Sequence, residues 1–406
     1  MGGFLLILGL VIFAGYAGTA IFARTRFPDA VLLMLVGILL GPVLHLLDTQ
    51  LLARAMPYVG TLALAVILFE GGLGLAAHQV GGQLGRALLL LALSFGSCVL
   101  VSLWALRLTG GMDTRTALLL AVALAATSAP IVVPIISQVM PKGPMTPLLT
   151  LESSLADALA VVLAATLVHG AEQGILASNV AANVGRAALL GLVAGACVGL
   201  MWLLAMTGLA RGRYPFVLTV GCLLVLMGGV EMLEGSGAVA ILAFGMALAN
   251  GGELIHLAPH GWRARLEAAL PDHRFEVDPR LHHLLGEAVL LTRTFFFIYL
   301  GALMVWPGAD AQFWLVLALL VAGLLASRLL SVTLFRIVFR VTPLERRVMV
   351  AMAPRGLATA VLAAMAAEHA GASSLSPIVL ALGAILATNV FMAIGVRRLF
   401  REGGQP

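Results

Sequence analysis

The sequence predicts an all-α polytopic membrane protein of about thirteen transmembrane helices. Three observations carry that prediction. Of 406 residues, 61% are hydrophobic and only 11% are charged, whereas a soluble domain is about one quarter charged. Mean hydropathy is +1.07. The apolar residues also fall into long runs, and about 20 such residues cross roughly 30 Å of hydrocarbon as a helix. Barrel strands are far shorter, so helices are the only spanning element that fits.

The runs place spans at 3–22, 30–47, 58–76, 86–107, 116–139, 147–168, 185–207, 214–231, 236–250, 287–306, 312–335, 348–367 and 376–396. The first has no basic residue ahead of it, and Arg24 and Arg26 follow it. It therefore reads as a span, not a cleaved leader. With the N-terminus outside, seventeen of the 24 Lys and Arg residues fall on the inner side and four (Arg54, Arg107, Arg115, Arg186) on the outer. The positive-inside rule then puts the C-terminus in the cytoplasm and supports an odd number of spans. The expected location is the cell membrane. A sequence pI near 9.6 reflects these loop arginines and does not point to nucleic acid.

The one long loop, 251–286, carries His256, His260, His273, His282 and His283. It reads as a solvated cytoplasmic loop with an amphipathic helix at 262–270, and a pH-sensing linker is the alternative. Cys98, Cys197 and Cys222 lie far apart in apolar runs and read as small buried hydrophobes.

Two spans are interrupted. The fifth contains Thr127-Ser128-Ala129-Pro130 and then Pro134, and the twelfth contains Ala353-Pro354-Arg355-Gly356. Proline lacks the N–H a helix interior needs, and unwound backbone at membrane depth survives only inside protein or along a cavity. With the seventh span as connector, spans 1–6 and 8–13 form two halves, each broken at the same place. Such paired breaks point to the binding site of a secondary transporter built from inverted repeats.

The sixth span carries Glu152 and Asp157. A charge at mid-bilayer costs about 2.5–3.5 kcal/mol on insertion scales, so intramembrane acids face a bundle interior or a wet cavity. Ser153 and Ser154 stand four and three residues before Asp157 and share its helix face. Hydroxyl and carboxylate oxygens are the hard donors a small cation takes. Thr127 and Ser128 at the break could complete the shell. Glu152 lies about 140° round the helix and faces another neighbour. Three acids in spans (Glu70, Glu152, Asp157) and three arginines (Arg293, Arg328, Arg355) are available to pair, and Asp157 is the acid expected to stay without a tight arginine partner. Glu70, in Leu68-Phe69-Glu70-Gly71-Gly72-Leu73, lines an access route or pairs with an arginine.

The motifs "GILLGP" (37–42), "LFEGGL" (68–73), "ESSLADALAVV" (152–162), "RTFFFIYLG" (293–301), "SRLLSV" (327–332) and "PRGLATAVLA" (354–363) resemble, in order, those of the monovalent cation:proton antiporter-1 family, the sodium/proton exchangers. The resemblance implies a homodimer, two crossed broken helices and elevator-type alternating access. It implies core ion-transport helices at about 86–168 and 312–396, and dimerisation or scaffold helices at about 1–76 and 214–306. It makes Asp157 the carrier of a monovalent cation or a proton, and pairs Glu152 with Arg328. Arg355 matches the family's arginine beside the crossing and is grouped with the Glu152–Arg328 ion pair.

Two positions depart from the family pattern: Ala156 stands where an Asn usually precedes the carrier, and Ser128 stands where an Asp is common. With one free carboxylate, exchange is expected to be electroneutral. The leading function is Na⁺ or Li⁺/H⁺ antiport. A K⁺/H⁺ antiporter and a non-transporting sensor or inactive paralogue are the alternatives. The chain has no HExxH, GxSxG or paired intramembrane aspartates, so no enzyme and no cofactor is expected.

Overall fold

The computed structural model describes residues 2–25, 29–47, 49–74, 77–109, 111–140, 143–172, 180–209, 215–251, 279–304, 311–370 and 375–402. Among them are fifteen α-helices and no strands. In chain order, α1 is Gly2–Thr25, α2 Asp29–Ile38, α3 Thr49–Leu73, α4 Ala77–Thr109, α5 Thr114–Ala125 and α6 Ala129–Val139. Then come α7 Met145–Glu172, α8 Val180–Leu209, α9 Pro215–Met232 and α10 Gly237–Ala249. The last five are α11 Pro279–Ala302, α12 Ala311–Val338, α13 Pro343–Ala351, α14 Leu357–Glu368 and α15 Pro377–Glu402.

Each predicted span coincides with one helix, or with the broken pairs α5/α6 and α13/α14. Several helices outrun their apolar stretch. α3 starts at Thr49, not 58, and α4 starts at Ala77, not 86. Polar residues extend a helix past the bilayer without changing its backbone, so an apolar window stops short of them. Among the described residues, six helices are long and apolar enough to cross a membrane by length and composition. The predicted 262–270 helix and His256, His260 and His273 lie outside the described residues, as does Lys142.

The second span ends differently from a plain helix. After Ile38 the chain widens into a π-helical turn, Leu39–Val43, that contains Pro42. Proline cannot donate there, and later N–H groups reach further back, Leu44 N to Leu39 O at 2.9 Å and Leu46 N to Leu40 O at 3.0 Å.

Two compact units divide the chain. The first comprises 1–63, 84–167 and 290–406, and the second 64–83 and 168–289. In the first, α2 and α11 approach through reciprocal glycines. A Cβ on Gly37 would overlap the Ile298 carbonyl, and one on Gly301 would overlap the Met34 carbonyl. Small residues let backbones meet in this way inside membranes. The same pair of helices carries an ion pair between Arg293 and Asp29. In the second unit, α8 lies along α10, Phe69 packs against Phe244 at 5.7 Å between centroids, and Arg186 pairs with Glu234.

The cysteine expectation holds only in part. Cys98 is buried, but Cys222 is half-buried and Cys197 is exposed on α8. An apolar run alone does not separate a position facing lipid from one facing protein.

The two breaks explain themselves locally. α5 stops at Ala125, Ala126 is extended, and Ser128 caps α6 with extended backbone ahead of Pro130 in the first turn. Proline is tolerated there because first-turn N–H groups have no intrahelical partner. α13 opens on a capping box, in which Thr342 Oγ1 accepts from Glu345 N and the Glu345 carboxylate accepts from Thr342 N. It ends at Ala351, and residues 352–356, including Pro354, are irregular before α14 starts.

Candidate functional site

The two interruptions touch. Ser128 N donates to Pro354 O at 3.0 Å, and a Cβ on Gly356 would overlap Ser128 Oγ. Only a residue without a side chain fits beside that hydroxyl. Each break frees backbone groups at a helix end, carbonyls on one side and N–H groups on the other.

The freed carbonyls are taken by two arginines. Arg355 Nη1 donates to Ala126 O at 3.1 Å and Ala125 O at 3.4 Å, at the end of α5. Arg328, from α12, donates through Nε to Met349 O at 2.8 Å and through Nη2 to Met352 O at 3.0 Å, at the end of α13. A cation at a helix C-terminus also answers the partial negative charge of the aligned peptides. Arg355 and Arg328 are 3% and 2% exposed, so neither has bulk water as an alternative partner.

Arg328 is at the same time the partner of Glu152. Nη1 meets Oε1 at 2.6 Å and Nη2 meets Oε2 at 3.2 Å, a two-pronged contact. Ser94 Oγ, from α4, donates to the same carboxylate at 2.9 Å. Arg355 makes no ion pair with Glu152 among the described residues. Its guanidinium also donates, through Nη2, to Cys98 Sγ at 3.4 Å. Grouping Arg355 with the Glu152–Arg328 pair therefore needs correcting. The α5 carbonyls hold its guanidinium, because they sit where the unwound segment delivers it.

Asp157 is ion-paired with neither arginine. It is 3% exposed, and Oδ2 accepts a hydrogen bond from Ala129 N at 3.2 Å, the first N–H of α6. Among the described residues it forms no ion pair. Helix N-termini favour negative charge, so one freed helix start meets the carboxylate just as the freed helix ends meet the arginines.

The predicted hydroxyls divide into two kinds. Ser153 Oγ donates to its own helix, to Leu149 O at 2.8 Å and Thr150 O at 3.2 Å. Thr127 Oγ1, Ser128 Oγ and Ser154 Oγ are buried and make no hydrogen bond among the described residues. Thr359 Oγ1 and Asn389 Oδ1 share that condition. Buried polar atoms are rarely left this way. Glu70 is on α3 in the second unit and is exposed.

Five residues that make these contacts went unread in the sequence. Ser94 and Cys98 sit in an otherwise apolar run. Asp29 falls one residue before the second span's predicted start, yet it is buried against Arg293. The Thr388-Asn389 pair inside the last span was a visible polar signal.

Two discontinuous helices, crossing beside a buried carboxylate in an all-helical membrane protein, are the architecture of a secondary transporter. The sodium/hydrogen exchanger transmembrane family matches residues 9–402, and the chain belongs to that family. Two solved structures of the sodium proton antiporter MjNhaP1 from Methanocaldococcus jannaschii share the fold. One, at pH 8, is 20% identical, covers 97% of this chain and 94% of that one, and superposes with a TM-score of 0.74. The other, from electron microscopy, is 19% identical, covers 99% and 98%, and gives 0.73.

Proposed function

We propose that the protein exchanges a monovalent cation, Na⁺ or Li⁺, for protons by alternating access, with Asp157 as the carrier. The observation that carries this reading is a buried carboxylate without an ion-pair partner among the described residues, on the same crossing as three uncommitted hydroxyls. The other acid on α7, Glu152, is already engaged by Arg328 and Ser94. Asp157 holds either a proton or a cation. Each adds one positive charge to the site, so a one-for-one exchange moves no net charge.

Thr127, Ser128 and Ser154 supply oxygens to the dehydrated cation, and Ser153 Oγ offers a lone pair while it donates to Leu149 O. The fixed arginines hold the broken helices open around the site in both loading states. In this reading the body built on helices at about 86–168 and 312–396 shifts between the two faces, as in an elevator, within a homodimer in the cell membrane. The N-terminus lies outside and the C-terminus in the cytoplasm.

The test is dequenching of a pH-gradient dye in everted vesicles, titrated with Na⁺, Li⁺ and K⁺. Na⁺ and Li⁺ should dequench, and Asp157→Asn should abolish the response while protein still reaches the membrane. Persistence of exchange in Asp157→Asn would refute the carrier assignment. In proteoliposomes, a current that tracks exchange would refute the one-for-one stoichiometry.

A further inference from the structure

Asn389 lies in α15 and is fully buried. Its amide nitrogen is fixed by two acceptors, Arg355 O at 2.8 Å and Ile385 O at 2.8 Å. Both are carbonyl oxygens, so the amide cannot be turned over, because that would set oxygen against oxygen twice. The orientation of Oδ1 is therefore set by hydrogen bonds, and this oxygen is buried with no donor bonded to it. An amide oxygen only accepts. A hydroxyl in the same position could rotate to donate, but Oδ1 can be satisfied only by a donor or a cation.

Its place in the fold decides between these. Asn389 is attached to the segment 354–356 through the Arg355 carbonyl. Ser128 is attached to the same segment through the Pro354 carbonyl. The neighbouring Thr388 Oγ1 accepts from Arg355 N at 3.2 Å, so two successive side chains of α15 grip the break. Thr359 Oγ1, in the first turn of α14, is a further buried oxygen without a bond. Apart from Arg355 Nε, a buried donor that is itself unbonded among the described residues and so does not satisfy Oδ1, the uncommitted atoms at this crossing are neutral oxygens, a donor set suited to a hard cation. The residue before the carrier is Ala156, so α7 contributes no amide there.

We infer that Asn389 is a specificity-determining residue of the cation site, with Oδ1 contributing a rigid neutral oxygen to the bound monovalent cation. This rests on the reading of Asp157 as carrier. A rigid oxygen discriminates by ionic radius more sharply than one on a mobile side chain, because it cannot follow a smaller ion inward.

The test measures exchange kinetics in proteoliposomes for the unaltered protein, Asn389→Ala and Asn389→Ser, each with Na⁺ and Li⁺. Both variants should raise the half-saturating Na⁺ concentration at least fivefold and change the Na⁺-to-Li⁺ ratio of that constant at least threefold. A maximal rate that falls with both constants and their ratio unchanged would show that Asn389 only braces the break, and would overturn the inference. Unchanged kinetics would overturn it as well. Should Asn389→Ala not assemble, Asn389→Ser carries the same readouts. Should neither assemble, Na⁺- and Li⁺-dependent thermal shifts of purified Asn389→Gln decide, and an unchanged ion ratio overturns the inference. Exchange that survives Asp157→Asn with Asn389 unchanged would remove the carrier reading itself, an outcome distinct from any result at 389.

Discussion

Removing the Arg328 guanidinium should strand Glu152. The pair is 2% and 1% exposed at the side chains, and breaking a buried pair by deleting one partner costs about 3–5 kcal/mol. Arg328→Met keeps most of the volume but leaves Glu152, among the described residues, with the Ser94 hydroxyl alone. It also takes the side-chain donors from Met349 O and Met352 O, at about 1–3 kcal/mol for each buried acceptor left unsatisfied. The double variant Glu152→Leu/Arg328→Met still forfeits the two carbonyl bonds but no longer buries a lone charge. It should therefore regain roughly the 3–5 kcal/mol assigned to the stranded carboxylate. Unfolding in mixed detergent micelles, followed by intrinsic tryptophan fluorescence, measures both. The reasoning fails if Arg328→Met unfolds with the unaltered protein, or if the double variant is less stable than the single one.

Two further outcomes follow from local geometry. Gly356→Ala places a methyl group on Ser128 Oγ, and overpacking of this kind costs about 1–3 kcal/mol. Adding Ser128→Gly should restore the melting temperature, and no recovery would mean the clash is elsewhere. Asp113 caps α5 outside the membrane, and the Thr116 N–H holds its carboxylate below the ordinary 3.8. Its folded form titrates lower than its unfolded form, so its contribution is present above the unfolded value and is lost as pH falls through the folded one. Asp113→Asn should therefore flatten the acid limb of a melting-temperature profile below about pH 4 and leave the neutral region alone. A change confined to neutral pH would contradict this.

Much of the fold was legible because bilayer thickness and backbone chemistry leave few choices. Pro130 and Pro354 marked both breaks, and the 140° offset separated Glu152 from Asp157. The partners were harder to read. Nothing in the spacing of α7 says that Arg328 lies across from Glu152, and the family resemblance supplied that expectation. Arg355 was grouped with the Glu152 pair through the family resemblance, but the structure gives its guanidinium to the Ala125 and Ala126 carbonyls. A sequence does not display which backbone oxygens a break will expose. Asn389 was passed over because one amide barely lowers the hydropathy of its run.

The grip of Arg328 on Met349 O and Met352 O has a consequence for what sustains the gap in the twelfth span. In an unbroken coil those two oxygens would receive the N–H groups of Ala353 and Gly356. A neighbouring span occupies them first. Replacing Pro354 would return a donor whose helical acceptor is Val350 O, while the oxygens that Ala353 and Gly356 would use stay engaged by Arg328, so the arginine at 328 and the proline sustain the gap together.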